Sequence, residues 1–232
     1  MNLGELEAAL DLSVQDKSLQ GYFATWVNNA LLELAADLEL PALKLQTPYS
    51  LAVTTAAWIF DLPVNFQKML FRAADSDYNE IRRYRTFDTL DRLDIDHDET
   101  GDHVTAVAVA EGETAGVETK KIGIYPKATE TIYLWYYKKP TVLANPTDTP
   151  TCIPSSYHDR VIIPKAMIVA HRLLQDQVEN FDLKPLQYWE SKLAGGLRGS
   201  PVDGIGLVNY LSKIQGGPRR HGGRDPVGLN LH

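Results

Sequence analysis

The sequence predicts an α+β fold, in which a helical bundle from the N- and C-terminal helices packs with a central antiparallel β region and an extended C-terminal arm follows. Three observations carry this. Apolar residues recur at three- and four-residue steps near both ends of the chain. Short β-branched and aromatic runs, separated by turn-forming clusters, fill residues 49–140. Residues 197–232 then hold eight glycines and three prolines with little apolar periodicity.

The N-terminal segment, residues 1–17, is read as adding a short helix over Glu5–Leu12. The first strong element spans 18–40. Leu19, Tyr22, Phe23, Trp26, Ala30, Leu34 and Leu38 form one stripe, Ser18 is expected to cap the start, and Pro41 ends it because proline offers no helix-interior donor. In the β region strands are expected at Ala57–Asp61, Phe66–Phe71, His103–Ala110, Val117–Tyr125 and Thr131–Lys138, with a helical turn at Phe87–Leu93. The last strand is apolar on both faces: Ile132, Leu134 and Tyr136 point one way, and Tyr133, Trp135 and Tyr137 the other. Such a strand is central in a packed sheet or lies at a subunit interface.

After a Pro- and Thr-rich connection (145–154), Tyr157, Val161, Ala166, Val169, Ala170, Leu173, Leu174 and Val178 mark a helix over 156–179. Ser156 is its expected cap, and Pro164 marks a kink or the true first turn. A further helix over 184–193 is expected to stop at Gly195-Gly196. Residues 18–196 thus form the main domain. The segment 197–232 reads as a flexible arm that orders against something else, with Ile205–Leu211 apolar enough to dock as a strand or anchor.

Composition narrows the function. The 232 residues hold 30 acidic and 23 basic side chains, for a net charge of −7. The arm carries Arg198, Lys213, Arg219, Arg220 and Arg224 against Asp203 and Asp225, so it is +3 and the rest is −10. An acidic body repels nucleic acid at long range, while a basic arm suits an acidic partner. No stretch approaches the ~20 clean apolar residues of a membrane span. Glu5 and Glu7 stand where a secretory signal places basic residues, and the lone Cys152 fits a reducing compartment, so a soluble intracellular product is expected.

Four local patterns invite chemistry. Asp94, Asp96 and Asp98 space oxygens like a calcium loop, but Glu99 stands where that loop needs glycine and Thr105 where it needs glutamate. A solvated acidic loop fits better. Ser155, Ser156, His158 and Asp159 are triad residue types, yet they crowd one helix start without a nucleophile turn. Gly204-Ile205-Gly206 lacks the third glycine of a dinucleotide fingerprint. Arg82-Arg83-Tyr84-Arg85 and the tip at Arg219–Arg224 could meet phosphates, which leaves a DNA-binding assembly or packaging factor as the alternative function. Ion pairing of the first group with Asp75, Asp77, Glu80, Asp88 and Asp91 is the simpler expectation. No catalytic residue, metal or cofactor is assigned.

An ordered set of motifs remains. It runs from Trp26-Val27-Asn28-Asn29-Ala30 through Phe60-Asp61-Leu62-Pro63 and Asn65-Phe66 to Ile124-Tyr125-Pro126 and Tyr133–Pro140. It closes with Asp148, Ile153-Pro154, Tyr157-His158-Asp159 and a helix carrying Ala166 and Ala170. Over about residues 19–196 this order resembles the adaptor (head-to-tail connector) proteins of tailed bacteriophages, especially short-tailed ones. The resemblance implies a non-enzymatic virion part made in the host cytoplasm. It would be one subunit of a homo-oligomeric ring, usually of twelve, that docks beneath the portal protein and presents a platform to tail or nozzle proteins. DNA would pass through its channel without sequence-specific binding. It also implies that a terminal extension, here 199–232, reaches the portal. On this reading Tyr133, Trp135 and Tyr137 of the aromatic strand, and Ile205, Leu207, Tyr210, Arg219, Arg220 and Arg224 of the arm, are the expected protein-interface residues.

Overall fold

The computed structural model describes residues 1–14, 17–114, 117–174, 186–200 and 204–214. Helix α1 (Leu3–Ser13) begins with a reciprocal cap. The Asn2 side chain accepts from the Glu5 amide at 2.9 Å, and the Glu5 carboxylate accepts from the Asn2 amide at 2.9 Å. Leu3, Leu6 and Leu10 then face inward together. Ser18 does not cap the next helix: residues Lys17–Tyr22 form a 3₁₀ segment, and α2 spans Phe23–Asp37. The helix ends at Asp37 rather than at residue 40: Leu38 is already extended, and Pro41 instead opens a separate 3₁₀ turn, Pro41–Leu43. The carbonyls left at the end of α2 are capped from the sheet. Lys68 Nζ donates to Ala36 and Leu38 oxygens at 2.9 and 2.7 Å.

Two sheets occupy the middle. The first orders β1 (Tyr49–Val53), β7 (Glu130–Lys138) and β3 (Phe66–Ala74), so the two-sided aromatic strand is central. The second orders β2 (Ile59–Asp61), β6 (Val117–Tyr125), β5 (Ala106–Thr114) and β4 (Arg82–Tyr84). Pairing is antiparallel except between β4 and β5. That parallel pair needs a crossover, and the connection holding α3 (Phe87–Asp91) supplies it. β1 and β4 have no counterpart in the sequence reading. Both are short edge strands, with too few residues to establish an alternation.

The apolar interior divides into three clusters. The inner faces of the sheets meet through Val53, Leu70, Ile122, Ile124, Ile132, Leu134 and Tyr136. Leu90 of α3 covers Ala106 and Ala108 on the outside of the second sheet. The largest cluster joins α1 and α2 to the C-terminal helices, with Trp26, Leu31, Leu34, Val161, Ala166 and Ala170 almost fully enclosed. Lys165 is a buried charge in that layer, and it pairs with Glu33 at 2.7 Å and Asp37 at 3.6 Å on α2.

The helix expected from Ser156 is composite. A 3₁₀ turn (Ser155–Tyr157), one π turn (His158–Ile162) and α4 (Ile163–Leu174) follow one another, with Pro164 in the first turn of α4. Ser156 therefore lies within the opening turn rather than capping it, and residues 175–179 lie outside the described ones. Helix α5 (Leu186–Arg198) runs straight through Gly195-Gly196. Those glycines are not a stop. A Cβ on Gly196 would stand 2.1 Å from the Arg160 carbonyl oxygen in the π turn, so glycine there permits close approach. The stop comes at Gly199, with φ at 84°.

β8 (Gly199–Ser200) then pairs antiparallel with β9 (Gly204–Ile205), and a short helix α6 (Leu207–Ile214) follows. The Ile205–Leu211 run docks on its own chain: Leu207 and Leu211 are buried, and the Tyr157 hydroxyl donates to the Ile205 carbonyl at 3.0 Å. No helix among the described residues is long and apolar enough to cross a membrane.

Candidate assembly surfaces

The inner face of the first sheet is sealed against the second sheet, and its outer face divides in two. At the helical end Tyr137 is buried at 4% exposure, its ring 5.6 Å from that of Phe71. Its hydroxyl donates to Glu39 at 3.3 Å, and burial together with that carboxylate pushes its pKa up to about 12. Farther along β7 the helical layer no longer covers the sheet, and Trp135 and Tyr133 are half-buried. The Arg72 guanidinium lies 4.5 Å over the Trp135 ring. Tyr78 stacks on Tyr133 with ring centroids 4.7 Å apart and planes within 4°. Two of the three expected β7 aromatics therefore reach a surface, and the third belongs to the core.

Tyr78, absent from the sequence reading, is 58% exposed and sits at φ 65°, a left-handed conformation that costs a non-glycine residue. The turn carrying it is held by Asp75, whose carboxylate accepts from the amides of Asp77 (2.9 Å) and Asn79 (2.8 Å) and from the Asn79 side chain (3.0 Å). Glu130, at the start of β7, ties the same turn to the neighbouring loop. It accepts from the Ser76 amide at 3.1 Å, the Ser76 hydroxyl at 3.0 Å and the Val104 amide at 2.5 Å, and the His103 ring lies 3.3 Å away. The signal for this turn was present in the run Asp75–Asn79, whose residue types favour turns.

Burial alone would push the carboxyls of Asp75 and Glu130 up, yet their donors outweigh it and hold both below the ordinary range. His103 is raised, chiefly by its hydrogen bond to Glu130. A carboxylate lowered by folding stabilises above its unfolded pKa and stops doing so as pH falls through the folded value. An imidazole raised by folding stabilises below its unfolded pKa and stops as pH rises through the folded value. Both contributions are fully present between the unfolded carboxyl and imidazole values, roughly pH 4.5 to 6.5. Amide exchange at Ser76 and Val104, corrected for intrinsic rate, is expected to be slowest in that window and faster on either side. A flat profile would remove this lock from the account.

Other candidate residues are placed as follows. Ile205 is 52% exposed, Tyr210 is half-buried with its ring 5.6 Å from Tyr157, and Leu207 is enclosed. Arg219, Arg220 and Arg224 lie outside the described residues. Asp94 Oδ2 accepts from the Glu99 amide at 2.9 Å, while Asp96 and Asp98 are exposed. Among the described residues no three His, Cys, Asp or Glu side chains converge on a metal-sized site. The ring nitrogens of His158 lie 2.8 Å from the Ile153 carbonyl and 3.0 Å from that of Met1, so this buried ring ties backbone segments together. A cleft of about 560 Å³ lies between α1 and α5, with Leu12, Ile163, Pro164 and Tyr188 on its walls.

A protein-family model described as SU10 adaptor protein matches residues 1–203. The chain belongs to that family. Membership in the SU10 adaptor family extends the resemblance read over 19–196 to include α1, in keeping with the burial of Leu3, Leu6 and Leu10. An adaptor family suggests a structural, non-enzymatic role in the virion and binding to other virion proteins. No curated protein matches the chain.

The motifs of the SU10 adaptor chain have local explanations. Asn28 on α2 donates to the Leu143 carbonyl at 3.0 Å and accepts from the Leu143 amide at 2.8 Å, pinning the connection after β7. Asn65 accepts from the Tyr136 hydroxyl at 2.7 Å, and its carbonyl accepts from the Lys139 amide at 2.7 Å. Asp148 receives the amides of Ala144 and Asn145, both at 2.8 Å, and its carbonyl receives that of Leu3 at 2.7 Å. Asn28 and Asp148 thus tie α2 and α1 to the connection after β7, while Asn65 ties the start of β3 to β7.

Proposed function

We propose that this adaptor is of the short-tailed phage type: one of twelve copies in a ring that docks beneath the portal, connects head to tail or nozzle proteins, and extends the DNA channel. Residues 18–196 are the adaptor body, 1–17 an N-terminal segment packed on it, and 197–232 an arm toward the portal. Family membership over residues 1–203 carries the reading. The half-exposed Tyr133 and Trp135, with Tyr78 stacked outside, suit a contact between copies, since aromatics concentrate in interface cores. Ile205 and Tyr210 stand at the base of the arm, and Arg219, Arg220 and Arg224 at its basic tip would meet an acidic partner. A ring repeats one heterologous contact until it closes, so each contact can be modest. An acidic body suits a channel that passes DNA without gripping it.

Native mass spectrometry of the chain mixed with the portal of the same genome tests this. A gain of twelve chain masses of 25.9 kDa is expected. Truncation after Ile214, which keeps α6, is expected to weaken portal binding while leaving the fold intact. An unchanged portal mass would overturn the adaptor-ring reading, and unchanged binding by the truncated chain would remove the arm from it.

A further inference from the structure

The loop after α3 holds an aliphatic side chain out in water. Ile95 is 82% exposed, and Leu93 beside it is exposed too. The loop that carries them is pinned on both sides of its tip. The His97 ring stacks on Trp58 with centroids 3.5 Å apart and planes within 10°, and its Nε2 lies 2.9 Å from Asp91. The Tyr125 hydroxyl donates to the Glu99 carboxylate at 2.8 Å, and the Glu99 carbonyl accepts from the Lys127 amide at 3.0 Å. A knob already held in place loses little freedom when it docks. Its charge is one-sided: Ile95 stands between Asp94 and Asp96, with Asp98 beyond, and Asp96 and Asp98 are exposed without an ion pair among the described residues.

The cleft between α1 and α5 has the complementary character. Its volume of about 560 Å³ falls within the ~300–1,000 Å³ of formed binding sites. Leu12, 89% exposed, stands on the α1 wall and the exposed Tyr188 on the α5 wall. The charged residues of the lining are Arg160 and Lys192 against Asp159, so cations outnumber acids. Lys192 is exposed, 5.8 Å from the Tyr188 ring, with no carboxylate in ion-pair distance among the described residues.

Charge decides which knob fits and which receptor suits it. Val64 is even more exposed than Ile95, but its neighbours Pro63 and Asn65 carry no charge to meet Lys192. The arginine strand β4 is the other cationic surface. Arg83 pairs there with Glu80 at 3.4 Å, while Arg82 and Arg85 are exposed and have no ion pair among the described residues. The expectation that these arginines pair with nearby acids inside the chain therefore holds for Arg83 alone. Yet the exposed side chains of that segment are Arg82, Arg83, Arg85 and Thr86, none of them an apolar seat for an isoleucine.

We propose that Ile95 of one copy, flanked by Asp96 and Asp98, seats in the α1–α5 cleft of a second copy against Leu12, Tyr188 and Lys192. The cleft belongs to the helical layer and the loop to the second sheet, with the first sheet between them. Two different, complementary patches in opposite layers suit a head-to-tail contact that closes a ring. The contact rests on the ring reading above, but it uses neither the aromatic face nor the arm.

The test reads association of the full chain twice, by sedimentation velocity alone and by native mass with the portal of the same genome. I95D and D96K/D98K on the knob, and L12D and K192E in the cleft, are each expected to weaken association between copies about ten-fold or more. All five positions are exposed, so the unfolding midpoints of these variants should match wild type. A chain carrying D96K/D98K/K192E is expected to recover most of the loss, because a reversed knob then meets a reversed cleft at every contact. R82E/R85E, on the competing strand, is expected to change nothing. Wild-type association in I95D or L12D, no recovery in the combined variant, or weakening by R82E/R85E instead would overturn this contact and leave the ring reading standing. A wild-type chain that is monomeric both alone and with the portal would overturn the ring reading itself, and the contact with it.

Discussion

Replacing Trp26 with alanine is expected to lower the free energy of unfolding by about 3–5 kcal/mol, the range for truncating a fully enclosed large aromatic. Trp26 is 1% exposed on α2, and its ring lies 5.2 Å from Phe23 and 6.5 Å from Tyr22. The cavity would open in the helical layer where α1, α2 and α4 meet. Urea unfolding checks the prediction. The midpoint should fall while the slope stays near the wild-type value, because the surface exposed on unfolding barely changes. W26F, which leaves a smaller void, should recover part of the loss. A W26A midpoint within error of wild type would mean that the helical layer is not held at this point.

The second large effect is expected at Gly196. Adding a methyl group there would bring it against the Arg160 carbonyl oxygen and carbon, at 2.1 and 2.8 Å, and against the Val161 side chain at 3.0 Å. Two of these atoms are backbone, so α5 must move away from the π turn. G196A is expected to cost about 3 kcal/mol by overpacking, although alanine is favoured over glycine by roughly 1 kcal/mol in a free helix. Because α6 packs on α5, its amides should also exchange faster. G21A is the control, since nothing lies within 4 Å of the added atom, and its stability should stay near wild type. A G196A protein as stable as wild type would show that the α5–π turn packing is looser than described.

Long periodic elements were legible in the sequence. The stripe through Phe23, Trp26, Ala30 and Leu34 located α2, and the alternation in Thr131–Lys138 placed β7 as a two-sided strand. What escaped has physical causes. Tyr49–Val53 and Arg82–Tyr84 are edge strands defined by a neighbour's hydrogen bonds more than by their own pattern. Glycine in Gly195-Gly196 reads equally as a helix stop or a close approach, and only the Arg160 carbonyl across the interface decides. The surface shows the same limit. Trp135 and Tyr133 were recognisable from their residue types, but Tyr137 is buried by a helical layer more than ninety residues earlier in the chain. Tyr78 reaches the surface through a turn whose backbone angle depends on Asp75 accepting two amides.

The pairing of α2 with α4 also bears on synthesis. The first two helices leave the ribosome with Leu6, Leu10, Trp26 and Leu34 exposed, and Val161 and Ala166 in the helix that buries them follow more than a hundred residues later. At about 5–20 residues per second, the nascent N-terminal half waits roughly 6–25 s for its partner. β1 must likewise wait for β7. The apolar faces of the N-terminal helices therefore stay uncovered through most of translation, and that period of aggregation risk precedes any contact with another virion protein.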